Sequence, residues 1–173
     1  MSDAKGHKEG QQNPGGRSST PPVKDIFVDG PIEPGFITTS IAKHATRTDI
    51  GAHEIFLGQV RADTFDRGTG GEFSAPTVSA IEYTAYRDMA LERMTIIREE
   101  AFAKWPSMTC LHVHHSLGTI GTGQLCFMVF ASAPHRMAAR EAVAWVVDRI
   151  KAQLPIFGKE ILSDTTHLWK TNT

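Results

Sequence analysis

The chain has 173 residues, 40% of them hydrophobic and 21% charged, which fits one ordinary globular domain with a real core. A formal net charge of -1 excludes a global basic signature for nucleic acid or an anionic membrane, so any positive site must be local. No apolar run approaches the ~20 residues that a membrane helix needs, and the N-terminus lacks a signal-peptide core, so the cytoplasm is the expected compartment.

In chain order, residues 1–22 are Gly, Ser, Gln, Pro and charge without apolar periodicity and read as a disordered leader, leaving 23–173 as a single domain. Lys24–Val28 reads as a short strand, and Thr39–His44 as a helix opening with Thr39 or Ser40 as cap. Asp49–Ala52 is a turn into a strand, His53–Arg61, that contains Gly58. Ala62–Pro76 is polar and Gly-rich. It lacks the Lys-Ser/Thr ending of a phosphate-cradling P-loop and reads as a mobile surface loop.

Val78–Tyr86 alternates as a strand does. Arg87–Trp105 is helical, with Ala90, Met94, Ile97 and Ala101 on one face and Pro106 closing it. Thr109–Ser116 is a strand, Leu117–Gly123 a hairpin-like connection, and Leu125–Ala131 a continuous apolar run expected at the centre of a sheet. A helix follows, with Met137, Ala138, Ala142, Trp145, Val146, Ile150 and Leu154 at three- and four-residue steps, ended by Pro155. Ser163–Thr173 is a polar tail that includes Trp169 and Lys170. The order points to an α+β domain with a mixed or antiparallel sheet packed by helices.

The last helix carries cations at both ends. Lys151 suits the negative C-terminal end of the helix dipole. His135 and Arg136 do not suit the N-terminal end, where free backbone amides already attract anions, so the pair suggests an anion to be bound. Arg136 and Lys151 are 15 residues apart, ~22 Å along a helix, so one copy cannot bring both to a small molecule. Either there are two sites, or two subunits each lend one end of the helix to a shared site; the second reading is preferred, and a symmetric dimer would supply it.

Cys110 and Cys126 sit in apolar strands and read as reduced core residues. His112, His114 and His115 put two imidazoles on one strand face. With no Cys, Asp or Glu read at ligand spacing, they are taken as a solvated or hydrogen-bonded face, and no metal site is expected. No Ser-His-Asp set, paired carboxylates or cysteine nucleophile stands out.

Several blocks, in order, resemble the large, catalytic subunit of molybdopterin synthase, the MoaE family. They are Gly51-Ala52; Phe56-x-Gly58-x-Val60-Arg61; Ile81-Glu82-Tyr83-x-Ala85-Tyr86-x-x-Met89-Ala90; His115-Ser116-Leu117-Gly118; His135-Arg136; Lys151; and Pro155-Ile156-Phe157. The likeness runs from about residue 24 to residue 170.

The resemblance implies an α/β hammerhead-type fold that dimerises, forming a heterotetramer with two copies of a small ubiquitin-like sulfur carrier whose C-terminal Gly-Gly bears a thiocarboxylate. It implies insertion of two sulfurs into cyclic pyranopterin monophosphate to give the molybdopterin dithiolene, with no resident cofactor and no metal. Carried over residue by residue, Lys151 and Lys159 become the catalytic candidates. Gln59, Val60, Arg61, His135, Arg136, Lys151, Gly158, Lys159 and Glu160 become the substrate-binding ones. Lys151 would polarise the thioacyl group or move a proton, while Arg61, His135 and Arg136 would hold phosphate and pterin. Two positions depart from the family pattern. Gly158 stands where a lysine commonly follows the aromatic, with Lys159 expected to substitute, and Gln59 stands where a lysine is common before Val-Arg. A non-catalytic dimeric module that retains only the carrier groove is the alternative.

Overall fold

The computed structural model describes residues 24–64 and 75–170; the expected leader and the centre of the Gly-rich loop lie outside them. Ten elements follow one another: β1 (Phe27–Asp29), α1 (Pro34–Ala42), β2 (Ala52–Gln59), β3 (Val78–Ala85), α2 (Arg87–Lys104), β4 (Cys110–Gly121), β5 (Leu125–Ala133), α3 (Arg136–Gln153), β6 (Ile156–Leu162) and β7 (His167–Trp169). The strands form one seven-stranded sheet in the order β2-β5-β4-β3-β6-β7, with β1 added to β4. Every pairing is antiparallel except β1 with β4. The α+β class expected from the alternation of elements is therefore what the chain adopts.

β4 organises the sheet. Its first half, Cys110–His115, pairs with β5, and its second half, Gly118–Gly121, pairs with β3. The changeover falls at Gly118, whose φ of +82° only glycine adopts without strain. The stretch expected to be a hairpin connection from Leu117 is thus the continuation of a bent strand, and the tight turn comes later, with Gly123 at φ +86°.

α2 buries Ala90, Met94, Ile97 and Ala101, the stripe its spacing predicts. α3 buries Ala139, Ala142, Val143, Val146, Val147 and Ile150, so its buried face is rotated from the expected one and Met137 is left on the surface. α2 and α3 pack on one another, and α3 lies over β2 and β5. α1 begins at Pro34, five residues before the expected opening, because proline's fixed φ and missing N–H suit a first helical turn. It covers a smaller cluster of Ile32, Met128 and Phe130. No helix among the described residues is long and apolar enough to cross a membrane.

Gly51 leads into β2 beside the end of β5. A Cβ there would run into the carbonyl oxygen of Pro134, a backbone atom with little freedom to move. Gly51→Ala is expected to lower stability by roughly 1–3 kcal/mol, read as a shift in the denaturation midpoint.

Burial also sets a pH dependence. The His112 imidazole is pushed down to about 4, mainly by desolvation and further by His44, His114, Arg98 and Lys43 around it. Burial pushes His114 and His115 down as well. Because the unfolded imidazole titrates near 6.5, the unfolded chain binds more protons between that pH and about 4. Stability is therefore full above pH ~6.5 and falls as pH is lowered through the window, by roughly 1–3 kcal/mol from His112 after discounting its partial exposure. Thermal melts from neutral pH to pH ~4.5 check this; a midpoint that does not fall would contradict it.

Candidate active site

The C-terminal end of α3, the middle of the sheet and the β6–β7 edge enclose a cleft of about 310 Å³, at the small end of the range for small-molecule sites. Its apolar wall includes Phe56, Phe127, Ile150 and Ile156. Its polar groups are Gln59, Arg61, Asp63, Tyr83, His115, Cys126, Lys151 and Lys170.

Lys151 occupies the last turn of α3, where the helix dipole favours a cation, and Leu154 turns the chain into extended backbone before Pro155. Arg61 follows β2; its side chain is 83% exposed and makes a two-pronged ion pair with Asp63, the longer contact being 2.8 Å. That guanidinium holds the Asp63 carboxyl below its usual range. Lys170 follows β7. Its Nζ lies 3.0 Å from Oε1 of Glu160, whose side chain is only 8% exposed. Three cations thus converge on one cleft from three parts of the chain.

β6 explains why Lys170, and not Lys159, is among them. In the β3–β6 pairing Tyr83 stands opposite Gly158, and Glu82 opposite Lys159. Tyr83 and Gly158 line the cleft. Neighbouring residues of a strand face opposite sides, so Lys159 projects away and pairs with Glu82 at 3.4 Å. Gly158 gives it no freedom to swing round, because its backbone is held in the ladder. Gly158 instead leaves the floor open: a Cβ there would come within 3.1 Å of Ile81 and 3.3 Å of Tyr83. The Lys170 amide donates to the Gly158 carbonyl at 2.8 Å, which sets the Lys170 side chain beside that opening.

Of the residues singled out in the sequence, the structure brings Gln59, Arg61, Lys151 and Gly158 together at the cleft. Val60 is 1% exposed and belongs to the core, with its amide bonded to the Gln124 carbonyl and its carbonyl to the Gly123 amide. Glu160 is buried behind the cleft as the anchor of Lys170. His135 and Arg136 are exposed at the far end of α3, a continuous helix, and do not line the cleft. Lys170 was missed as a site residue because its position depends on the β6–β7 pairing, which neither short strand announces.

The remaining polar groups are held neutral. The Nδ1–H of His115 donates to the Ser116 carbonyl at 2.9 Å, which leaves Nε2 as an acceptor, and burial keeps the ring from protonating. Burial likewise pushes the Tyr83 hydroxyl up; it donates to the Cys126 sulfur at 3.5 Å. Burial raises the Cys126 thiol too, outweighing the pull of Tyr83, Lys170 and Lys151. A thiol held protonated is a poor nucleophile. Cys126→Ser is expected to keep turnover within ~10-fold of wild type, whereas loss of a nucleophile would abolish it.

The MoaE protein family matches residues 32–153. The molybdopterin synthase catalytic subunit 1 of Aedes aegypti is 36% identical over 124 residues, covering 70% of this chain and 74% of that protein. The molybdopterin synthase catalytic subunit of Drosophila grimshawi is 37% identical over 123 residues, covering 70% of this chain and 32% of that one. The chain spans about a third of the length of the Drosophila relatives it matches. Among solved structures, molybdopterin synthase from Staphylococcus aureus superposes with a TM-score of 0.69 at 27% identity, over 86% of this chain and 98% of that one. A complex of subunits 1 and 2 of the molybdopterin-converting factor from Helicobacter pylori shares the fold, with a TM-score of 0.65 at 17% identity over 84% of this chain and 88% of that one. The family match and the Aedes relative each span most of the chain, and on that evidence it belongs to the MoaE protein family.

Proposed function

We propose that the chain is the catalytic subunit of a molybdopterin synthase. It would transfer sulfur from the C-terminal thiocarboxylate of a small ubiquitin-like carrier into cyclic pyranopterin monophosphate, in the cytoplasm. The observation that carries this reading is the convergence of Arg61, Lys151 and Lys170 on one cleft with apolar walls, in a chain of this family. Both reactants are anionic. A phosphate suits the planar, two-pronged donation of Arg61, once it exchanges Asp63 for the ligand. A carrier tail ending in Gly-Gly is narrow enough to thread a cleft of this size.

In the proposed chemistry, the thiocarboxylate sulfur attacks a pterin side-chain carbon and displaces the oxygen substituent on it, which leaves as water or as the freed phosphate-ester oxygen; a water then cleaves the acyl–sulfur bond. The sulfur stays on the pterin and the carrier leaves as a carboxylate. Negative charge develops on the acyl oxygen during that cleavage, and the Lys151 ammonium would stabilise it. Lys170, anchored by Glu160, would hold the second anion. The names of the Aedes and Drosophila relatives support the activity, and the Helicobacter complex supports a small-subunit partner. His135 and Arg136 enter the proposal through a second copy of the chain, whose α3 N-terminus would complete the site in a homodimer.

The test mixes the purified chain with thiocarboxylated carrier and cyclic pyranopterin monophosphate and follows molybdopterin as its fluorescent oxidised derivative. Product is expected. Tight carrier binding with no product would leave only a carrier-binding module.

A further inference from the structure

A second cluster of chemistry-bearing side chains lies where α1 covers the sheet, away from the cleft. Cys110 and His112 are two positions apart on β4 and so share a face, while Leu111 and Val113 between and beyond them enter the main core. The turn after α1 lays His44 over the pair, with its ring 5.4 Å from that of His112. One donor atom from each of His44, Cys110 and His112 lies within 4.8 Å of the other two. All three residues are partly buried.

Two observations go beyond proximity. The Nδ1 of His44 donates to the Ser40 carbonyl at 2.7 Å. A carbonyl only accepts, so the ring proton sits on Nδ1 and Nε2 carries the lone pair. A backbone carbonyl on the far nitrogen is the usual way a ligating histidine is oriented. The second observation is on His112, whose Nε2 is buried and has no hydrogen-bond partner. A buried polar atom left unsatisfied is destabilising, so its retention calls for an explanation.

We propose that His44, Cys110 and His112 form a zinc site that clips the turn after α1 to β4. Two imidazole nitrogens and a thiolate are borderline-soft donors of the kind zinc takes in tetrahedral sites, with water as the fourth ligand. At bond lengths of about 2.0–2.3 Å a tetrahedral ion needs donors roughly 3.3–3.8 Å apart, so the side chains close by about 1 Å. Binding converts the Cys110 thiol to thiolate and releases one proton. Burial pushes the Cys110 thiol up, with Arg47 and Arg98 pulling the other way, and Lys43 and Arg98 beside His112 oppose a dication, which points to moderate affinity. His53 stays outside the set, its Nδ1 2.6 Å from the Ser132 hydroxyl.

The experiment uses the full chain, reduced and stripped with a chelator, titrated with Co2+ and then Zn2+. One equivalent of Co2+ is expected to give a near-ultraviolet thiolate-to-cobalt band, release one proton, and be displaced by Zn2+, which raises Tm. Cys110→Ser abolishes the band, whereas Cys126→Ser keeps it. His44→Gln, in the turn after α1, weakens Zn2+ binding at least ~10-fold. A cobalt complex without the thiolate band overturns the proposal. So does Zn2+ affinity unchanged in both Cys110→Ser and His44→Gln, which would assign binding to adventitious histidines.

Discussion

Lys151→Ala is expected to reduce sulfur transfer at least ~100-fold, which is ~2.7 kcal/mol of transition-state stabilisation, while carrier affinity changes only a few-fold. The side chain leaves the last turn of a helix whose buried face fixes it firmly, with Val146, Val147 and Ile150 all in the core. The ammonium is therefore delivered to the cleft from a rigid element. Carrier binding draws on a larger surface than one lysine, so it survives. Single-turnover rates and carrier Kd, measured on the same protein, separate the two effects. Lys151→Arg sharpens the assignment. Arginine keeps the charge but cannot release a proton, so substantial activity in the arginine variant would mean electrostatic stabilisation, and inactivity with intact binding would mean proton transfer. Near-normal turnover with alanine would remove Lys151 from its role.

The second large effect falls on Lys170. Lys170→Met keeps the apolar stem and removes the charge, and kcat/KM is expected to fall roughly 10- to 100-fold. Glu160 is then left buried without its partner, which destabilises the β6–β7 edge. The double variant Glu160→Gln with Lys170→Met restores the balance of charge. It should recover the stability lost by the single variant and leave activity low. Activity that returns together with stability would mean that Lys170 is structural only.

Much of this arrangement is legible in the sequence, and the exceptions have definite causes. The stripe of α2 and the apolar run of β5 announce themselves because burial enforces one period along many residues. Lys151 can be placed at a helix end because Pro155 shows where the helix stops. β6 and β7 escape notice because one contains Gly158 and Lys159 and the other is three residues long in a polar tail. Their strand character comes from pairing with β3 and with each other, not from local preference. That one omission changes the second lysine lining the cleft from 159 to 170, since strand alternation decides which side chain enters it. The metal-ligand cluster has the same origin. Cys110 stands two places before His112 and shares its strand face, against the reading that no Cys lies at ligand spacing, and His44 joins them only through the packing of α1, 66 residues before Cys110.

The most direct test of this account is to measure turnover of Lys170→Met and Lys159→Met side by side, with Tm as a check on folding. The geometry predicts a loss of roughly 10- to 100-fold for Lys170→Met and near wild-type turnover for Lys159→Met, which points to Glu82 on the other side of the sheet. Loss of activity in the Lys159 variant with full activity in the Lys170 variant would contradict it.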